Sequence, residues 1–255
     1  MTVPEHLWIL PILFVTGLTA GLIDSIAGGG GLITIPVLLG IGIPPHLALG
    51  TNKFQSSFGS FTASHHYVRK GVVDLHDARP GILWTLLGAA AGAWLVQRVQ
   101  ITLLSALIPV LLLIVAAYSM LTPRLGEHAR QPVLSRSAFY CSAGLCLGFY
   151  DGFFGPGVGS FWAIVFVTGL GFTLTRATGY TKVMNFTSNI VSMILFLLGG
   201  NVLFLEGGVM ALGQIAGARI GSGLVVRRGA TFIRPVYISV VIATTGKLLY
   251  DRFFP

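Results

Sequence analysis

Residues 17–30 read Gly17-Leu-Thr-Ala-Gly21-Leu-Ile-Asp24-Ser-Ile-Ala-Gly28-Gly-Gly30, and 127 residues later the chain reads Gly144-Leu-Cys-Leu-Gly148-Phe-Tyr-Asp151-Gly-Phe-Phe-Gly155-Pro-Gly157. Both copies lie in strongly apolar surroundings. A second match follows at an offset of 129 residues, where Gly50-Thr-Asn-Lys53 corresponds to Gly179-Tyr-Thr-Lys182. Two related halves that interrupt hydrophobic segments with glycine at corresponding positions indicate a membrane transporter and its substrate site.

The composition of the 255-residue chain is typical of a membrane protein. Hydrophobic residues make up 54% of it and charged residues 9%, whereas about a quarter of the residues of a soluble domain are charged. Basic loops on the cytoplasmic side of a membrane account for the net charge of +8. We therefore expect the lipid bilayer, and no nucleic acid, as a partner.

Apolar segments in two sets of five predict an all-α integral membrane protein with two repeats. Residues 1–121 form the first membrane repeat, 122–136 a basic linker and 137–255 the second membrane repeat. The ten segments are 7–26, 32–43, 47–68, 80–97, 101–121, 137–154, 158–172, 178–199, 203–226 and 232–250. The second and seventh are shorter than the roughly 20 residues that cross a hydrocarbon core. They are either half-helices or re-entrant segments, so that eight to ten segments span.

The distribution of basic residues distinguishes ten crossings from eight. With ten crossings and the N-terminus outside, ten loop Lys and Arg residues face the cytoplasm and two do not. Eight crossings place at best seven inside and five outside, so the positive-inside rule favours ten. An odd number of crossings in each half then gives two inverted-topology repeats.

The N-terminal segment is expected to stay in the mature protein. No Lys or Arg precedes it, so the basic region of a signal peptide is absent. We expect a bacterial inner membrane protein with a periplasmic N-terminus and a cytoplasmic 122–136 linker.

Lys53 and Lys182 occupy matching repeat positions within apolar segments, beside Thr51-Asn52 and Thr181. A cation inside a membrane span is costly and usually faces a cavity or a partner, which makes both lysines candidates for one central site. The alternative is that each side chain extends to the end of its helix and into the interface.

Glycine runs supply a second element of an anion site. Gly28–Gly31 precedes a short apolar segment, and Gly155-Pro156-Gly157 precedes its counterpart. Unobstructed amides at the N-terminus of a helix bind anions. The alternative is that these glycines only permit close helix crossing. We assign that packing role to the GxxxG sets, through which a homodimer is also conceivable: Gly88, Gly92, Gly213, Gly217 and Gly221.

Asp24 and Asp151 are the acidic residues that lie within the apolar repeat cores. They are candidates for proton carriers, for partners of the two lysines, or for caps of the backbone at the glycine breaks. Further polar residues recur at helical spacing after the lysines and either line a cavity or join helices by hydrogen bonds. These are Gln55, Ser56, Ser57, Asn185, Ser188 and Asn189.

Metal and enzyme sites are not predicted. Cys141 and Cys146 lie five residues apart in one apolar segment, and His65-His66 has no cysteine or carboxylate at ligand spacing. No nucleophile with a positioned base is recognisable. We expect neither a metal nor a cofactor, and transport rather than catalysis.

Two stretches carry a family resemblance: Gly21-Leu-Ile-Asp24-Ser-Ile-Ala-Gly-Gly-Gly-Gly31-Leu-Ile-Thr-Ile-Pro36 and Gly42-Ile-Pro-Pro45-His-Leu-Ala-Leu-Gly50-Thr-Asn-Lys53. They resemble the signature of the TauE/SafE sulfite-exporter family of membrane permeases. The resemblance extends over nearly the whole chain. It implies export of small sulfur oxyanions or organosulfonates, such as sulfite and sulfoacetate, driven by an ion gradient.

The residues and the resemblance together predict a secondary transporter of a small anion that works by alternating access, with protons taken up at Asp24 or Asp151. Alternatives are a passive anion channel, a permease for another small oxyanion, and a structural membrane subunit that tolerates loss of both lysines. The predicted substrate-binding residues are Gly28, Gly29, Gly30, Gly31, Thr51, Asn52, Lys53, Gln55, Gly155, Gly157, Thr181, Lys182, Asn185 and Asn189.

Overall fold

The computed structural model describes residues 9–120 and 131–229, and all regular structure within these ranges is α-helical. The first half contributes α1 (Ile9–Ala27), α2 (Gly31–Gly40), α3 (Pro45–Arg69), α4 (Leu75–Val96) and α5 (Ile101–Met120). The second half contributes α6 (Arg136–Phe153), α7 (Val158–Leu170), α8 (Leu174–Leu198) and α9 (Phe204–Arg228). The predicted all-α fold is confirmed.

Nine of the ten predicted segments coincide with helices of the described part of the chain. The tenth, 232–250, lies outside the described residues, as does most of the 122–136 linker. The second segment ends earlier than predicted, at Gly40 rather than at residue 43. Gly42, with φ 84°, and the Pro44-Pro45 pair turn the chain there before α3 begins.

The repeat in sequence is also a repeat of helices. In both halves a long helix is followed by a short one, of 10 residues in α2 and 13 in α7, and then by a helix of 25 residues, α3 or α8. Glycines with φ near 70°, Gly71 and Gly200, end the two long helices in the same hydrogen-bonded motif. The inverted relation between the halves stays a prediction.

Each half uses its first helix to pack along the fourth helix of the other half. α1 packs along α9 and α6 packs along α4, while α3 and α8 pack on each other in the centre. Gly88 and Gly92 of α4 face the backbone of α6, and Gly213 and Gly217 of α9 face that of α1, with no room for a Cβ atom. These glycines thus join helices within one chain, and the predicted homodimer would need another face.

Three described helices, α1, α8 and α9, are long and apolar enough to cross a membrane by themselves. A fourth span would combine α4 with the start of α5, bent by 120° at the break between them. The 25-residue α3 is about 38 Å long at 1.5 Å per residue, but buried polar side chains lower its hydropathy. α2 and α7 extend only about 15 and 20 Å, less than the roughly 30 Å of hydrocarbon.

Candidate functional site

Two glycine-rich breaks, residues 28–30 between α1 and α2 and residues 154–157 between α6 and α7, lie against each other in the middle of the fold. α1 ends at Ala27, directly before Gly28, whose φ is 70°, and α7 begins after Gly157, whose φ is 77°. Ser160 in the first turn of α7 donates its hydroxyl to the carbonyl oxygens of Ala27, at 3.3 Å, and Gly28, at 3.2 Å. Glycine is needed at both breaks because other residues rarely adopt these φ values. The break of one half is therefore bound directly to the break of the other.

Lys53 of α3 pairs with Asp151 of α6. Its Nζ donates to Asp151 Oδ1 at 2.5 Å and to Asn189 Oδ1 at 3.2 Å. Ser188 donates its hydroxyl to the other carboxylate oxygen of Asp151. Only 2% of the Lys53 side chain and 3% of that of Asp151 are exposed. The lysine is thus buried with a carboxylate rather than extended into the membrane interface.

Lys182 of α8 makes the corresponding pair with Asp24 of α1. Its Nζ donates to Asp24 Oδ2 at 3.0 Å, while the amides of Gly29 and Gly30 donate to Oδ1 at 3.1 and 3.4 Å. Asp24 therefore pairs with Lys182 and accepts hydrogen bonds from the backbone of the glycine break at the same time. The Lys182 side chain is 1% exposed and that of Asp24 is 21% exposed, so the second ion pair is the more accessible of the two.

The two ion pairs cross between the halves. Each lysine is paired with the aspartate of the opposite repeat, so two positive and two negative groups give the centre a net charge of zero. Buried ion pairs contribute little net stability, but removing one partner is costly because the other charge remains buried. Loss of the charge on one member of a pair is therefore costly, whereas loss of both charges of that pair together is not.

A small cavity of about 20 Å³ lies between the two breaks. That volume has room for about one water molecule. Its lining comes from both halves and combines charged, amide and hydroxyl groups with bare glycine backbone: Asp24, Gly29, Gly31, Asn52, Lys53, Ser56, Asp151, Gly155, Gly157, Val158, Gly159, Asn185 and Asn189. The arrangement offers hydrogen-bond donors for an oxyanion from both halves of the chain.

Amide groups beside the cavity are only partly hydrogen-bonded. Asn52 Oδ1 accepts from the Thr34 hydroxyl at 2.5 Å and from Gln55 Nε2 at 3.0 Å. The oxygens Gln55 Oε1, Thr181 Oγ1 and Asn185 Oδ1 are buried without a hydrogen-bond partner among the residues that the structure describes. Buried polar atoms are normally satisfied, so these groups have capacity left for water or a ligand.

Ten of the sixteen predicted site residues line the cavity, counting both aspartates. The other six are Gly28, Gly30, Thr51, Gln55, Thr181 and Lys182. Gly28 contacts the opposite break, whereas Gly30 and Lys182 bind Asp24. Thr51 accepts a hydrogen bond from the amide of Leu203 at 3.0 Å, which places its hydroxyl at the start of α9 rather than in the cavity.

Thr34, Gly159 and Ser160 were not predicted as site residues. Thr34 orients Asn52, Gly159 lines the cavity and Ser160 joins the breaks. Ser160 follows Gly157 by three residues. This hydroxyl close to the second glycine run is the signal that could have identified it, since a buried hydroxyl needs an acceptor. Thr34 and Gly159 show no comparable sequence signal.

Comparison with known proteins identifies relatives over almost the full chain. Residues 13–248 match the sequence model of the family described as sulfite exporter TauE/SafE. The chain is 47% identical over 243 residues to the probable membrane transporter protein YfcA of Escherichia coli (strain K12), covering 95% of this chain and 90% of that protein. A probable membrane transporter protein of Haemophilus influenzae is 46% identical over 244 residues, 96% of each chain. YunE of Bacillus subtilis (strain 168), also a probable membrane transporter protein, is 21% identical over 270 residues, 95% of this chain and 98% of that protein.

Proposed function

Since this chain belongs to the TauE/SafE family of membrane transporters, we propose that it moves a small sulfur-containing anion, sulfite or an organosulfonate such as sulfoacetate, by proton-coupled alternating access. The observation that carries the proposal is the crossed arrangement of Lys53 with Asp151 and Lys182 with Asp24 around one small cavity. The proposed location is the bacterial inner membrane, with the N-terminus periplasmic and the 122–136 linker cytoplasmic.

The carboxylate of Asp24 occupies the donors that a substrate anion would use. Lys182 and the amides of Gly29 and Gly30 all donate to it. Charge-assisted donors and helix N-terminal amides are the groups that bind oxyanions in proteins. Asp24 is therefore an internal competitor of the substrate, and Asp151 has the same relation to Lys53.

A proton on Asp24 would release these donors. The neutral acid no longer competes for Lys182, and the freed positive charge then favours an anion at the same place. Proton binding and anion binding thereby strengthen each other, and the coupling is reciprocal. The sign follows directly: anion affinity rises as pH falls.

The size of the cavity supports a change in shape during transport. A cavity with room for about one water molecule is smaller than a sulfur oxyanion, so it must widen before such an anion can bind there. α1 packs on α9, and α6 packs on α4. To open the interface between the breaks, these two helix pairs would have to move relative to the central helices α3 and α8. Alternation of access on the two sides of such a site is the usual mechanism of secondary transporters.

Asp24→Asn tests the proton coupling. Methanesulfonate is a suitable probe because its own charge is constant over the accessible pH range. We expect wild-type affinity to rise by up to about tenfold per pH unit on acidification, as linkage to one proton requires. Asparagine does not titrate, so the variant should lose the pH dependence that Asp24 contributes and bind with a flatter pH profile than wild type, measured by calorimetry on purified protein.

Glu206→Gln is the matched control, because Glu206 lies in the first turn of α9, away from the cavity lining. It should keep the wild-type pH dependence. An Asp24→Asn protein whose affinity rises on acidification as steeply as that of wild type would exclude Asp24 as the coupling group.

Flux in liposomes separates the remaining classes of function. A secondary transporter should accumulate sulfite or sulfoacetate against its gradient when a pH gradient is imposed. A passive channel would equilibrate the anion irrespective of the pH gradient. Absence of flux for every sulfur oxyanion and sulfonate, under any ion gradient, would contradict the proposal and favour a structural subunit.

A further inference from the structure

A second cavity, of about 630 Å³, lies between the C-terminal ends of α3 and α9. It is far larger than the cavity between the breaks. Its lining combines basic groups of both helices with a few apolar ones: His66, Arg69, Lys70, Arg219, Ile220, Gly223, Leu224, Val226 and Arg227. We call it the basic pocket.

The basic pocket contains no carboxylate among its lining residues. The ion pairs found within 9–120 and 131–229 involve other basic residues, namely the two central lysines and the Arg136 and Arg176 guanidinium groups at Asp77. Four basic side chains thus converge, and the described part of the chain places no carboxylate among them. Such convergence is unfavourable by itself and becomes favourable when an anion is bound.

The position of Arg219 distinguishes the basic pocket from an ordinary basic helix end. Arginines in the last turn of a helix, such as Arg227, interact favourably with the helix dipole. Arg219 lies nine residues before Arg228, about 13 Å along the axis at 1.5 Å per residue. The dipole does not account for a cation placed that far inside an apolar helix.

Exposed apolar side chains lie on the same two helices, and one of them, Ile220, lines the basic pocket itself. Phe61 of α3 is 52% exposed, and Leu212 and Ile220 of α9 are 62% and 54% exposed. They lie along the same helices as the basic groups, at one or more turns from the end. In a membrane this surface meets acyl chains, whereas Arg69, Lys70 and Arg227 at the helix ends lie at the level of the headgroups and Arg219 lies deeper along α9.

We propose that the basic pocket binds the phosphate headgroup of an anionic phospholipid, whose acyl chains cover the adjoining apolar surface. Basic pockets between membrane helices bind such headgroups, and each Lys or Arg near an anionic surface contributes about 1 kcal/mol. The phosphate carries the negative charge that the convergent side chains require. This site is separate from the anion site between the breaks, and its occupancy does not depend on the transported substrate.

Native mass spectrometry of the purified full-length protein, titrated with phosphatidylglycerol, tests the proposal. Arg219→Gln should weaken lipid binding about fivefold, which corresponds to the loss of one such cation. Arg79→Gln is the control: this exposed arginine in the first turns of α4 lies outside the basic pocket, and its loss should leave binding unchanged.

Glycerol phosphate and inorganic phosphate identify the source of the phosphate group. Both lack acyl chains, so we expect each to displace phosphatidylglycerol only weakly. Phosphatidylglycerol binding that is equal in wild type and Arg219→Gln would overturn the proposal. Displacement by glycerol phosphate at concentrations similar to those of the lipid would also overturn it, in favour of a soluble phosphate compound.

Discussion

Lys53→Ala is expected to abolish anion flux and to destabilise the protein by about 3–5 kcal/mol, the usual cost of breaking a buried ion pair. The variant leaves Asp151 buried with Ser188 as a remaining donor. It also removes the ammonium group that lines the cavity and that we propose for the substrate. Stability in detergent, measured by thermal unfolding, and sulfite flux in liposomes report the two effects.

A neutral double variant separates the two roles of Lys53. In Lys53→Gln/Asp151→Asn both charges are removed together, so no uncompensated charge stays buried and most of the stability should return. Flux should not return, because the positive charge is still missing. Arg79→Ala, which removes an exposed cation, should leave both measurements unchanged. Full flux in either Lys53 variant would exclude this lysine from the transport site.

Gly28→Ala is expected to prevent assembly of the two glycine breaks. A Cβ atom at residue 28 would lie 2.5 Å from Gly159 Cα and 2.9 Å from the amide nitrogen of Ser160. Both are backbone atoms, which cannot rotate away as a flexible side chain does. The overlap costs about 1–3 kcal/mol, and alanine at a φ of 70° adds about 1–2 kcal/mol. Loss of folded protein in size-exclusion chromatography is the measurement.

Gly71→Ala provides a matched control for Gly28→Ala. Gly71 has a φ of 69°, and no atom of residues 9–120 or 131–229 lies within 4 Å of a Cβ added there. It therefore carries the same backbone cost without the contact between the halves. The Gly71 variant should fold and transport with only a modest loss of stability. If the two alanine variants behaved alike, the contact between the breaks would have no importance beyond backbone conformation.

The repeat, the helices and the charged residues of the site were predictable because each has a local signal. The length of an apolar segment identifies a membrane helix. A lysine or aspartate within such a segment is easily recognised, because charged residues are rare there. Matching of the two halves then pointed to Lys53 and Lys182 together. The computed structural model confirms the helices and brings the lysines to the two aspartates.

The sequence could not predict which aspartate pairs with which lysine, because that depends on how helices from different halves meet. Thr51 and Ser56 are polar residues of the same helix, but only Ser56 lines the cavity while Thr51 faces the start of α9. Successive residues on a helix point 100° apart, so spacing alone does not tell which face meets the other half. The GxxxG glycines raised the same difficulty, since the motif does not distinguish contacts within a chain from contacts between chains.

The crossing of the ion pairs has a consequence for the order in which the protein is made. The first half leaves the ribosome before Asp151 and Lys182 exist, so in the final arrangement neither Lys53 nor Asp24 has its partner yet. An unpaired charge in hydrocarbon is costly, so the newly made first half keeps these groups near water or at the insertion machinery. Insertion and folding are therefore separate events. The N-terminal half is therefore expected to lack the partner of Lys53 until α6 has been made, and the partner of Asp24 until α8 has been made.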